Sequence, residues 1–308
     1  MRDKAKVGTL CLRRIINRNR NLRKGDIMKG KTVCGVIVAY VLLAVMMGTL
    51  HSRSQAIPWY EKYAVVCHAL GRTAEGDAAT NSREAFVYNY MQGQRVFEAD
   101  LQITSDGVMV LRHDWYQELG QAEAFGWTEQ ERWAVTEQEF LNAPVYGKYT
   151  PLTLADWFAI MKKYPDIYMV TDTKYSDQVE EQFRLFVDTA IDNGYEDVLS
   201  RVVVQIYYKE MYDEVTAVYP FGNLIWTLYY IGYPDSRQIL EFMEQKEIPV
   251  LVMPSSWWDG QKRSDLENSD IKVYVHTVDD EEEARQRMEE GVRGIYSDDI
   301  PPYILQNR

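Results

Sequence analysis

From Ala64 onward, short runs of β-branched and aromatic residues alternate with stretches whose apolar residues recur every three or four positions. The runs Ala64–His68, Val96–Ile103, Val108–His113, Ile167–Thr173, Val202–Tyr207, Leu224–Tyr229, Val250–Met253, Lys272–Val278 and Gly294–Ser297 read as strands. Between them Ser82–Gln92, Leu154–Lys163, Gln178–Asn193, Glu210–Tyr219, Ser236–Lys246 and Glu281–Glu290 carry the helical period. Strict alternation of this kind predicts a parallel sheet wrapped by helices. With Val96–His113 counted as one strand plus a hairpin extension, eight strands fall in about 245 residues, the size of a (β/α)8 TIM barrel. The predicted fold class is therefore α/β, with the barrel over residues 64–308. Its one long excursion, residues 114–150, is rich in Trp, Tyr, Phe and Glu and is expected to fold as a lid or cap.

The pattern before Ala64 is different. Thr32–Leu50 is nineteen residues without a charge, which at about 1.5 Å per residue matches the ~30 Å of a hydrocarbon core. It predicts an N-terminal transmembrane helix, preceded by a basic cytoplasmic tail at 1–31 and followed by a linker at 51–63. The positive-inside rule then places the barrel outside the cytoplasm, at the cell membrane as a single-pass protein. A cleavable signal sequence is the alternative, since Ser54-Gln55-Ala56 is a small-x-small site and Met28 could begin such a segment. Cleavage there would leave a secreted domain.

Charge is divided as unevenly as hydropathy. Residues 1–31 hold eleven Lys/Arg against Asp3 and Asp26, so of the whole chain's −12 the remainder carries −21, with 23 basic and 44 acidic side chains. A domain that acidic repels nucleic acid, which needs a basic face to replace its counterions; nucleic acid is excluded as a partner. Of Cys11, Cys34 and Cys67, only Cys67 lies beyond the apolar segment, so the domain can hold no internal disulfide and Cys67 is read as a small core residue.

Strand alternation sorts the candidate chemistry. In Phe97-Glu98-Ala99-Asp100-Leu101 the apolar residues face the helices, which turns Glu98 and Asp100 together into the pore. Alternation likewise aims Asp172 and Lys174 inward at the end of another strand. Oxygen-only ligands point to a hard cation, Mg²⁺ or Ca²⁺. Lys174 can neutralise a phosphate oxygen. Against this stand plainer readings: a solvated acidic strand face for the first pair, an ordinary strand-end ion pair for the second. The chain has four histidines. His68 closes the first strand and His113 the hairpin, both at the mouth, where two imidazoles suit acid–base cleavage of a phosphodiester. Metal ligation or a structural place for one of them is also open.

The order His68…Thr80-Asn81-Ser82-x-Glu84-Ala85-Phe86…Glu98-x-Asp100-Leu101…Thr104-x-Asp106-Gly107…His113-Asp114 resembles the first half of the glycerophosphodiester phosphodiesterase superfamily, in its phospholipase C-like branch. Asp172-x-Lys174, Val275-His276-Thr277-Val278-Asp279-Asp280 and Gly291-Val292-x-Gly294-Ile295-Tyr296-Ser297-Asp298 match its later strand-end motifs. The resemblance implies that His68 and His113 are the catalytic pair, that Glu98, Asp100 and Asp172 bind a divalent metal ion, and that Lys174 contacts phosphate, with His276 a further substrate-binding candidate. Three departures stand out: Ala69-Leu70 replaces the family's arginine step, leaving Arg72 to fold back in its stead; Thr80 replaces an acidic residue; and Asp172 replaces a Glu, as in sphingomyelinase D-type lyases. The implied function is a metal-dependent phosphodiester hydrolase acting on glycerophosphodiesters or lipid headgroup diesters, with the membrane as partner only through the N-terminal helix. Two alternatives remain. One is a phospholipase or lyase on intact lipid, which needs an apolar rim that Trp115, Tyr116, Phe125, Trp127 and Trp133 could supply. The other is a non-catalytic binding module on the same fold.

Overall fold

The computed structural model describes residues 57–128 and 133–305. The strands are β1 (Val65–Cys67), β2 (Val96–Ile103), β3 (Met109–Leu111), β4 (Tyr168–Thr173), β5 (Val202–Ile206), β6 (Leu224–Thr227), β7 (Val250–Pro254), β8 (Lys272–His276) and β9 (Gly294–Ser297). All but β3 run parallel in the order β1-β2-β4-β5-β6-β7-β8-β9, and β9 returns to β1 through Val65–Ile295, Val66–Tyr296 and Cys67–Ser297. Cys67 pairs with Phe97 on the other side, closing an eight-stranded barrel. β3 folds back antiparallel on β2, pairing Leu101 with Leu111 and Ile103 with Met109. The nine strands lie within two residues of their predicted ends and the six predicted helices within one.

Local chemistry explains those boundaries. Ser82, Thr153 and Asp280 accept from backbone N–H groups of the first turns of Arg83–Met91, Leu154–Lys163 and Glu281–Glu289, and Thr153 with Asp156 completes a reciprocal capping box. Alternation along the strands then builds two cores. Phe97, Ala99 and Leu101 of β2 pack outward with Phe86, Trp157 and Phe183 of the helices. Val66, Val96, Val170, Val203, Ile225 and Val250 point inward and fill the lower barrel. Each such aliphatic or aromatic side chain contributes about 1.5–3 kcal/mol on burial.

The barrel floor is sealed from below. The stretch read as linker ends in a short helix, Trp59–Lys62, whose Trp59 is buried against Tyr274, and the Tyr274 hydroxyl donates to the carbonyls of Tyr60 and Tyr63. Gly294 makes room for this plug: a Cβ there would lie 2.2 Å from a Tyr274 ring carbon. Residues 1–31, the apolar segment 32–50 and residues 51–56 of the linker lie outside the described residues. Among the described residues no helix is long and apolar enough to cross a membrane.

The excursion folds beside the hairpin. Its helices Ala122–Phe125 and Glu137–Leu141 enclose a small core in which Trp115, Val135 and Phe140 pack on Val110, with Phe125 and Trp127 at its edge. At its centre lies Arg112, almost wholly buried, with its guanidinium 5.3–5.8 Å from the ring centres of Trp115, Phe125 and Trp127. It donates to the carbonyls of Asp114 and Gln117 and to the Gln121 amide oxygen. Burial lowers the Arg112 pKa to about 10, and it remains a cation at neutral pH.

Candidate active site

Register places the carboxylates. β2 and β4 pair Glu98 with Val170 and Asp100 with Asp172, so two acids on neighbouring parallel strands face the pore one strand spacing apart, directly above the apolar floor. Asp100 is fully buried; its Oδ2 accepts from Asn81 Nδ2 at 2.8 Å and its Oδ1 from Lys174 Nζ at 2.9 Å. Lys174 also pairs with Asp172 Oδ2, while Asp172 Oδ1 accepts from the Tyr207 hydroxyl and, at 3.4 Å, from Gln205. Glu98 receives the Ala69 N–H on Oε2 at 2.7 Å, and its buried Oε1 has no partner.

The electrostatics follow from this crowding. Burial, then the neighbouring Asp100 charge, pushes the Glu98 pKa up to about 8. Burial also raises Asp172. For Asp100 burial is outweighed by Lys174, by His113 and by the Asn81 bond, which hold it at about 2. Lys174 is buried too, yet the charges of Asp172 and Asp100 keep its pKa above the ordinary value.

A strained loop carries the first histidine. Ala69 and Leu70 have φ of 45° and 63°, in the left-handed region that costs non-glycine residues on the order of 1 kcal/mol or more each. Asn89 holds this turn: one amide nitrogen donates to the carbonyls of Leu70, Arg72 and Ala85. Gly71, at φ 85°, lies where a Cβ would strike that amide at 2.3 Å. The turn aims the Ala69 N–H at Glu98 and lets His68 Nδ1 meet Asp298 Oδ1 at 2.9 Å. A carboxylate only accepts, so Nδ1 carries the proton and Nε2 is left for a substrate. Burial disfavours the His68 charge, but the Asp298 bond and the Glu98, Asp298 and Asp100 carboxylates overcome it and raise its pKa to about 10. His113 is built alike, Nδ1 to Asp114 Oδ2 at 2.5 Å, with Gln102 holding the His113 carbonyl at 3.0 Å.

His68, Glu98, His113, Asp172, Lys174 and His276 line one cavity of about 200 Å³ at the C-terminal ends of the strands, and Asp100 lies against Lys174 at its edge. Three buried polar atoms that line it have no protein partner: Glu98 Oε1, Thr227 Oγ1 and His276 Nε2. Burial, followed by the His68 charge, lowers the His276 pKa to about 4, so it is neutral. Oxygens from Glu98, Asp100 and Asp172 lie within 4.8 Å of one another. Three crowded, buried carboxylates, one with an orphaned oxygen, have the chemistry of a hard divalent cation site.

Of the eight residues singled out in the sequence, seven meet here; Arg72 does not. Its guanidinium is spent on Asp299, with Nε and Nη2 bonded to that carboxylate, and on the Gly76 carbonyl, and it is absent from the cavity lining. Among the described residues, the lining of this cavity takes none from 114–150. Sequence reasoning gave no place in the site to Asn89, Gln205, Thr227 and Tyr207, and quoted Asn81 and Asp298 as motif positions without a role. Strand alternation would have found Gln205 and Thr227, since they share the inward face of Val203 and Ile225 below them; the loop contacts of Asn81 and Asn89 leave no periodic signal.

The closed barrel with its acids and histidines at the strand ends has the fold of the glycerophosphodiester phosphodiesterases. A phosphodiesterase from Oleispira antarctica, solved in complex with the product sn-glycerol-3-phosphate, superposes with a TM-score of 0.63 at 20% identity, over 80% of this chain and 97% of that one. Glycerophosphodiester phosphodiesterases from Parabacteroides distasonis (TM-score 0.60, 17% identity, 79% and 95% covered) and Thermotoga maritima (0.56, 17%, 79% and 97%) share the fold. No protein-family model matches the chain, and no curated protein matches it.

Proposed function

We propose that this protein is a metal-dependent phosphodiester hydrolase of glycerophosphodiesters. The observation that carries the reading is the convergence on one cavity of two carboxylate-anchored histidines, a lysine and three acids that cannot all ionise unaided. The likeness in fold to an enzyme solved with sn-glycerol-3-phosphate supports it. Glu98, Asp100 and Asp172 hold the cation, Mg²⁺ or Ca²⁺. When bound, it supplies Lewis-acid polarisation of the phosphate and acidifies an adjacent hydroxyl. One of His68 and His113 takes the proton of the attacking hydroxyl, a neighbouring one of the substrate, through Nε2, and the other protonates the departing alkoxide. The reverse proton transfer then lets a water open the cyclic phosphate. Asp298 and Asp114 fix the rings and balance the imidazolium charge. Lys174 faces the charge that grows on the phosphate oxygens. His276 Nε2 and Thr227 Oγ1 meet the hydroxyls of the alcohol that remains in the pore.

The lipid-surface alternative has less support: of its five rim aromatics, Trp115, Phe125 and Trp127 pack in the excursion's own core and only Tyr116 and Trp133 are exposed. A screen of the full chain on soluble glycerophosphodiesters, with and without chelator, tests the reading. Release of free alcohol is expected, lost on chelation and nearly abolished by Asp100→Asn with the fold retained. Full activity after exhaustive chelation refutes the metal assignment; no turnover of any diester refutes the enzyme.

A further inference from the structure

Beside the candidate active site opens a second cavity of about 150 Å³, sharing Lys174 and Tyr229 with the first. Five tyrosines line it: Tyr175, Tyr207, Tyr208, Tyr229 and Tyr230. Ring centres lie 5.8 Å apart for Tyr207 and Tyr229, and 6.5 Å for Tyr230 with Tyr207 and with Tyr208, with planes inclined by 42–73°. Val179 and Met211 add apolar wall, and Thr173 and Ser176 also line the cavity. Neither the cation site nor the histidines use this space.

What the cradle offers most is ring surface, since three of its five tyrosine hydroxyls are already committed. The Tyr207 hydroxyl donates to Asp172, that of Tyr208 to the Ser176 carbonyl at 2.8 Å and that of Tyr175 to Gln102 at 2.8 Å. The Tyr175 carbonyl already accepts from Gln182. A polyol or a primary ammonium has hydroxyls or N–H groups that ring faces alone do not satisfy. A quaternary ammonium has no N–H to satisfy and is attracted to aromatic faces. Charge agrees: Glu214, Glu210 and Asp177 act on Tyr208, and the single lining cation, Lys174, is turned onto Asp100 and Asp172. The strongly acidic domain repels net-anionic diesters at long range but leaves a zwitterion unopposed.

Resting on the phosphodiesterase reading, we infer that the tyrosine cradle is a trimethylammonium subsite, so that the diester cleaved carries a choline headgroup with its phosphate at Lys174. The test compares kcat/KM of the full chain on glycerophosphocholine, glycerophosphoethanolamine and glycerophosphoglycerol. The choline diester is expected to lead by about tenfold or more. Tyr230→Leu and Tyr208→Leu should each shrink that lead by about 3- to 30-fold, while Tyr230→Phe keeps it. Equal rates on the three diesters in the wild type, or Leu variants that slow all three alike, overturn the subsite and leave the phosphodiesterase intact. If no diester is cleaved, calorimetric titration with phosphocholine decides: binding weakened about tenfold by Tyr230→Leu upholds the cradle, and no binding overturns it.

Discussion

At the residue scale the site depends on protons held in uncommon places. His68→Ala and His113→Ala should each lower turnover by about 10²–10⁴, and the double variant should be little worse than the poorer single, because acid and base serve one coupled transfer. A nitrophenyl leaving group needs no protonation, so turnover on such a substrate should recover only in the variant lacking the acid; small and equal losses on every substrate would make both imidazoles structural. Glu98 gives a pH test of the cation site. Its folded pKa of about 8 stands above the ordinary carboxylate value, so the folded state holds a proton that the unfolded chain gives up. Stability from this group is full below about pH 4.5 and is lost as pH rises through about 8. His68, raised to about 10, acts in the same direction, full below about 6.5 and lost on passing about 10. The chelated protein should therefore melt at falling temperatures between pH 6 and 9. Added Mg²⁺ or Ca²⁺ should raise Tm more at pH 9 than at pH 6, since a cation replaces the Glu98 proton. Melting curves of Glu98→Gln should lose most of that difference; an unchanged metal response in this variant would place the cation elsewhere.

At the element scale, the hairpin and excursion are organised by one buried guanidinium. Arg112→Met removes three donated bonds and the centre of an aromatic cage, which should cost roughly 2–4 kcal/mol in urea unfolding. Limited proteolysis should cut the excursion first, and turnover should fall with it, because Asp114, which orients His113, is itself tied down by Arg112. Loss of stability with the excursion still resistant to protease would show that Arg112 acts on the barrel alone. Elements of this kind mark the limit of what the sequence discloses. The strands and long helices were legible because each buries one face, and burial imposes a period of two or of 3.6. Gly260–Leu266 was not, because a seven-residue helix with Lys262, Arg263 and Asp265 on its surface has only Leu266 fully buried and leaves no stripe to read. The acids Glu98, Asp100 and Asp172 could be placed because they share strand parity with valines. Arg72 could not: only the folded chain shows that Asp299, 227 residues away, has already claimed it. For the aromatic excursion, composition tells that the segment has a core of its own, not that this core is built on Val110 and Arg112 of the hairpin.

At the scale of the whole molecule, the division of charge predicts topology independently of chemistry. If Thr32–Leu50 spans a membrane as its length predicts, protease added to intact cells should degrade the barrel and spare a tag at the N-terminus. A mature chain beginning near Ile57 would replace the anchor by cleavage and keep the export. Inside the barrel, β1 meets β9, and the His68–Asp298 bond joins positions 230 residues apart. That bond has a consequence for the order in which the chain is made. Synthesis must pass Asp298 before the His68 imidazole acquires the carboxylate that orients it and holds its charge. A nascent chain paused anywhere before Asp298 can bury most of its core and still lack a competent histidine, so the onset of turnover during synthesis reports the arrival of the last strand.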